Sequence, residues 1–135
     1  MKRVIFFVLA LLLALTGCGQ PEQSANESAP AENTYQQITQ EEAKEMMDDS
    51  DVIILDVREQ DEFDGGHIPG AALLPVGTIT EESAAAVIPE KDSVVLVYCR
   101  SGNRSKVASQ ALVEIGYTNI YEFGGISTWP YEVEQ

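Results

Sequence analysis

Residues 94–108, VVLVYCRSGNRSKVA, set a cysteine between a run of β-formers and a helical pattern. In an open α/β sheet, ligands gather beyond the carboxyl ends of the strands, and Cys99 stands at such an end. The loop that follows carries Arg100, Gly102 and Arg104 and feeds a helix whose first turn has unpaired N–H groups and the positive end of the macrodipole. Gly102 can take a positive φ, which lets the intervening amides curl inward as an anion-binding nest. Arg100, Arg104 and Lys106 add full positive charges. All of these favour thiolate over thiol, the setting in which a cysteine pKa falls from about 8.5 into the 3.5–7.5 range. The same cradle suits an anionic substrate.

Other chemistries fit the residues less well. A zinc site needs about four ligands, and the chain has one histidine, His67, and two cysteines, Cys18 and Cys99, in separate motifs. His67 lies in GGHIPGA, where it is expected to stay in a turn and bond backbone rather than serve Cys99. A dithiol mechanism needs a second cysteine nearby, and the neighbouring positions hold none. An inert, buried cysteine is the plain structural alternative. The open possibilities are a nucleophile acting on an anion inside a ring of amides, by sulfur transfer or by phosphate-type chemistry.

The elements that position this loop come from the rest of the chain. Residues 52–57 (VIILDV) form a continuous apolar run, as a parallel strand covered on both faces requires. Residues 93–98 are the most β-branched stretch and are predicted to be a central strand. Residues 35–38 and 119–123 are further strand candidates, and 71–74 is a short apolar piece after the Pro69-Gly70 turn. Thr39 with Glu42 is a capping-box pattern that opens one helix, and Thr80 can cap another running to Val87. Residues 59–64 fit a helical turn. Residues 105–115 place Val107, Ala108, Ala111, Leu112 and Ile115 on one helical stripe, with Gly116 as the stop. A last helical turn is expected around Trp129. Strands alternating with helices over short connections predict an open, mainly parallel α/β sheet.

The N-terminus is a different kind of sequence. Lys2 and Arg3 precede an apolar run over residues 4–15, too short to span a bilayer comfortably, and Leu15-Thr16-Gly17-Cys18 closes it. The ending resembles a bacterial lipobox. Residues 1–17 are therefore expected to be a lipoprotein signal peptide, with Cys18 lipidated at the new N-terminus. Residues 18–34 are expected to be a flexible linker without large apolar groups, and 35–135 the folded domain. Two or three acyl chains would hold the protein firmly to the outer side of a cell membrane, at the periplasmic side or the cell surface. An unpaired thiol outside the cytoplasm is prone to stray oxidation, which favours a reactive role for Cys99 over an inert one. Without residues 1–17, six basic residues face 22 acidic ones, a net charge of −16. That surface disfavours nucleic acid and anionic lipid as partners. Three of those six bases, Arg100, Arg104 and Lys106, lie within seven positions of Cys99.

Three patches, LDVREQDEFDGGHIPGA at 55–71, VYCRSGNRS at 97–105 and FGGISTW at 123–129, resemble in order and content the single-domain rhodanese-like sulfurtransferases. The resemblance spans about residues 35–132. It implies a rhodanese-like fold, a central, mainly parallel five-stranded sheet flanked by helices. It also implies that Cys99 takes the outer sulfur of thiosulfate, or of another small anionic sulfane donor, as a persulfide and passes it to cyanide or a thiol. No cofactor and no metal are implied, and a monomer is expected. By the same resemblance Arg100, Ser101, Gly102, Asn103, Arg104 and Ser105 form the substrate loop, with Arg100 and Arg104 seating the donor. Asp56 and Arg58 match an Asp-Val-Arg motif at a strand end, expected as an ion pair supporting the loops at the edge of the cleft. Trp129 is expected to pack. Protein tyrosine phosphatases and the related cell-cycle phosphatases share the general design but place five residues between cysteine and arginine, whereas four separate Cys99 from Arg104, which disfavours phosphatase or arsenate-reductase activity. The smaller ring suits a sulfur atom. A non-catalytic binding module on the same fold is the alternative from another class, although its usual examples lack the cysteine that this chain keeps.

Overall fold

The computed structural model describes residues 34–135. The expected signal peptide, Cys18 and nearly all of the expected linker lie outside the described residues. In chain order the elements are β1 (Gln36–Gln37), α1 (Gln40–Asp49), β2 (Ile53–Asp56), α2 (Gln60–Asp64), β3 (Ala72–Leu73), α3 (Glu81–Val87), β4 (Val94–Cys99), α4 (Asn103–Glu114) and β5 (Asn119–Gly125). Two 3-10 turns, Val76–Thr78 and Ile126–Thr128, complete them.

The strands form one five-stranded sheet in the order β1-β5-β4-β2-β3, with every neighbouring pair parallel. The strand that ends in Cys99 is the middle one. Its side chains alternate between two covered faces, which is why it reads as an unbroken apolar run. Val95, Val97 and Cys99 pack with Ala84, Ala108 and Leu112 of the α3–α4 side. Leu96 and Tyr98 pack with Ala43 of α1 and with Phe123 and Trp129 on the other side.

Local chemistry sets the helix starts. Thr39 Oγ1 accepts from the Glu42 N–H at 3.1 Å while the Glu42 carboxylate takes the Thr39 N–H at 2.7 Å, closing the expected capping box. Thr80 and Ser83 make the same exchange at the start of α3. Two expectations need correction around α4. The helix begins at Asn103, not Ser105, because Gly102 at φ 105° is its cap. Val107 is 63% exposed and does not belong to the buried stripe; that stripe is Ser105, Ala108, Ser109, Leu112 and Val113. The last strand also runs past Phe123 to Gly125. Trp129 ends the final 3-10 turn and is 9% exposed against Phe123, so it packs.

Candidate active site

Cys99 is the last residue of β4, 1% exposed, and its sulfur sits inside the turn that follows. The Gly102 N–H points at Sγ from 3.1 Å, and Ser105 Oγ lies 3.5 Å away. The left-handed conformation at Gly102 turns that amide inward, where a residue with a side chain would be strained. Burial pushes the Cys99 thiol up, but the Ser105 hydroxyl and the Ser105, Gly102 and Ser101 amides outweigh it and hold the thiol below its ordinary value. The largest lowering contributions come from these short-range donors, and the Arg104 charge also attracts the thiolate.

The loop is held from behind by β5. Between the pairs Val97–Glu122 and Cys99–Gly125, β5 carries one more residue than β4, a bulge at the level of the cysteine. Gly125 thereby lies directly against the Arg100 and Ser101 backbone. The Ser127 N–H donates to the Arg100 carbonyl at 3.0 Å, and Gln40 Nε2 donates to the Gly125 carbonyl at 2.8 Å.

The two arginines of the loop have different fates. Arg104 is clasped by Glu62 of α2 through two hydrogen bonds, 2.7 and 2.9 Å long. The Arg104 hydrogen bond in turn holds the Glu62 carboxyl down to about 2, so the pair stays ionised in ordinary buffers. Arg100 is exposed and forms no ion pair among the described residues. It borders an open cavity of about 570 Å³ shared with Arg58, Asp61, Glu62, Trp129 and Tyr131.

Asp56 and Arg58 do meet, in a buried cluster on the opposite face of the sheet from Cys99. Arg58 Nη2 reaches Asp56 Oδ2 at 2.6 Å and the Gly66 carbonyl at 2.7 Å. The Tyr98 hydroxyl donates to the same Oδ2 at 2.6 Å and accepts the Ile68 N–H at 3.0 Å. The pair therefore ties the end of β2 to the 65–68 turn while Arg58 shows one edge to the cavity. His67 is used structurally. Its ring stacks on Phe63, with centroids 3.7 Å apart, and Nδ1 lies 3.0 Å from the Phe63 carbonyl. Its backbone pairs with Glu134.

A family model of the rhodanese-like domain matches residues 39–131. The chain belongs to the rhodanese-like family. It is 40% identical over 96 residues to the thiosulfate sulfurtransferase GlpE of Coxiella burnetii, covering 70% of this chain and 87% of that protein. Against the thiosulfate sulfurtransferase PspE of Escherichia coli it is 38% identical over 72 residues, 53% of this chain and 68% of that one. Among solved structures, a rhodanese with anions from E. coli superimposes with a TM-score of 0.59 at 29% identity, covering 63% of this chain and 99% of that one. The rhodanese-like fold and its five-stranded parallel sheet are thus as the sequence motifs implied. Sequence reasoning missed four residues of this rhodanese domain's site: Glu62, Tyr98, Glu122 and Gly125. Only Tyr98 left a clear trace, because a tyrosine inside a strand covered on both faces needs a partner for its hydroxyl.

Proposed function

We propose that the protein is a thiosulfate sulfurtransferase that works through a persulfide on Cys99. The observation that carries this reading is the sulfur at the centre of inward-facing donors, with the Gly102 N–H at 3.1 Å. The Cys99 thiolate attacks the outer sulfur of thiosulfate; a sulfur–sulfur bond forms to Sγ, and the bond inside thiosulfate breaks as sulfite leaves with its electron pair. The terminal sulfur keeps one negative charge, which the loop amides stabilise. Cyanide or a thiolate then attacks that sulfur, and Cys99 departs as the thiolate. Both steps are displacements at sulfur and need no cofactor. Arg100 is the cation left to seat an anionic donor, since Glu62 already neutralises Arg104. The names of the Coxiella and E. coli relatives and the anions of the E. coli rhodanese support the same substrate class.

Thiosulfate alone is expected to leave one extra sulfur atom on the reduced protein, mapped to Cys99 by peptide mass spectrometry. Cyanide then removes it as thiocyanate and restores the original mass. Cys99→Ser abolishes both steps and leaves the fold intact. Wild-type protein that never gains sulfur from any sulfane donor overturns the assignment; phosphatase activity or binding without chemistry would replace it.

Leu15-Thr16-Gly17-Cys18 supports a second element of the proposal: the domain is exported and held by lipid on Cys18. Native protein is expected in the membrane fraction with acyl chains on Cys18, and Cys18→Ser without acyl chains and with the leader uncleaved. Wild-type protein recovered soluble and without lipid rules the anchor out.

A further inference from the structure

The sulfur has a second-hand neighbour that the transfer scheme leaves unused. Glu122 of β5 is 2% exposed and pairs with no cation among the described residues. Its carboxylate is held by Ser105 Oγ at 2.5 Å, the Gly124 N–H at 2.9 Å and Gln37 Nε2 at 3.3 Å. Burying a carboxylate without a counter-charge is costly, and such groups gather where proton transfer is useful. Ser105 is the link. Its single hydroxyl proton is shortest to Glu122, while its lone pair faces the Cys99 S–H at 3.5 Å.

We propose that Glu122 is the proton acceptor for Cys99, working through the Ser105 hydroxyl, so that the pair carries one negative charge that moves onto sulfur for attack. This rests on the sulfurtransferase reading, which supplies the need for a thiolate. In the transfer the S–H bond breaks and its proton goes to Ser105 Oγ. The Ser105 proton passes to Glu122 Oε1, and the electron pair stays on sulfur. The Ser105 hydroxyl then donates to the thiolate and accepts from the protonated carboxyl. Return of the proton resets the site after the acceptor has taken its sulfur. Glu122 touches no reacting sulfur and is a positioning residue for the proton.

The charged groups around the pair have defined places. Arg100 comes from the loop, and Arg104 with its partner Glu62 joins α4 to α2. The Asp56–Arg58 pair ends β2 on the other sheet face. Lys106 of α4 borders the cleft behind the loop that Glu122 also lines, where β1 and the start of α1 offer only the uncharged Gln37, Thr39 and Gln40. None of these stands between Ser105 and either member of the pair.

An internal transfer changes no proton count, so its signature is the shape of a pH profile. In the full chain, alkylation of Cys99 by iodoacetamide, a neutral reagent, is expected to be nearly flat between about pH 5 and pH 7. Glu122→Gln and Ser105→Ala should each replace that plateau by a fall of about tenfold per pH unit, the behaviour of an isolated thiol. Circular dichroism establishes that each variant is folded. A wild-type profile that itself falls tenfold per unit overturns the relay without either variant, and so does a folded variant that keeps the plateau. Sulfur uptake from thiosulfate is measured separately. A wild-type plateau that both variants lose, with no uptake, sinks the sulfurtransferase reading and keeps the relay; uptake with a sloping wild-type profile does the reverse.

Discussion

Gly125→Ala is expected to lose most of its sulfur uptake and to unfold at a lower temperature than the wild type. A Cβ at this position would stand 2.0 Å from the Arg100 carbonyl oxygen, 2.2 Å from its carbon and 2.5 Å from the Ser101 nitrogen. All three atoms are backbone, so no side chain can rotate away. Gly125 has an extended conformation, φ −145° and ψ 157°, which any residue adopts. The glycine is needed for contact between two main chains, not for an unusual dihedral. The loop must retreat by about 1 Å, and misplacement of that size costs about 10²-fold in rate. Overpacking adds about 1–3 kcal/mol of destabilisation. Gly77→Ala is the control, since nothing lies within 4 Å of its Cβ position. A Gly125→Ala protein with wild-type rate and melting temperature would refute the close contact.

The second large effect is expected at Asp56. Asp56→Ala leaves Arg58, 5% exposed, without its carboxylate and the buried Tyr98 hydroxyl without an acceptor. Breaking a buried pair from one side costs about 3–5 kcal/mol, read from denaturant melts. A loss below about 1 kcal/mol would place the pair with surface ion pairs instead. The cluster also has an alkaline signature. Burial first, and then the hydrogen bond to Asp56, push the Tyr98 hydroxyl above its ordinary value of 10.0. A proton held more tightly in the folded state gives stability that is complete below that value and is lost as pH rises above it. Tyr98→Phe should remove this share of the alkaline loss, at the cost of one buried hydrogen bond.

The fold was legible wherever local chemistry and burial agreed. VVLVYC could be placed as a central strand because it is β-rich and apolar on both faces, Thr39 announced a helix by its capping partner Glu42, and Thr80 announced another as a candidate cap. The start of α4 was missed by two residues because Gly102 acts as cap through its dihedral, while Ser105 looks like a cap by its side chain. Val107 was misplaced for a related reason. The buried stripe of α4 contains Ser105 and Ser109, and serines do not register in a hydrophobic pattern. Cys99 and its loop stood out as a motif. Glu122 did not, because a glutamate between Tyr121 and Phe123 reads as the solvent-facing member of an alternating strand. In a sheet with helices on both faces neither parity is exposed. Glu62 joins Arg104 across 42 positions, and no periodicity reports such a pairing.

The all-parallel sheet has a consequence for how the chain reaches this state. Among the described residues the sheet has no antiparallel neighbours and so no hairpin, and each strand pair forms only after an intervening crossover has been closed. Even the edge strand β1, first in the chain, waits for β5, the last. Loop-closure entropy is thus spent before the sheet returns any stability, a pattern that goes with slow folding. A domain so wired cannot finish its sheet while its C-terminal third is still being made. Until then the β-rich segment 94–99 is exposed to other chains, so yield should depend on chain concentration during refolding more than on the stability of the finished domain.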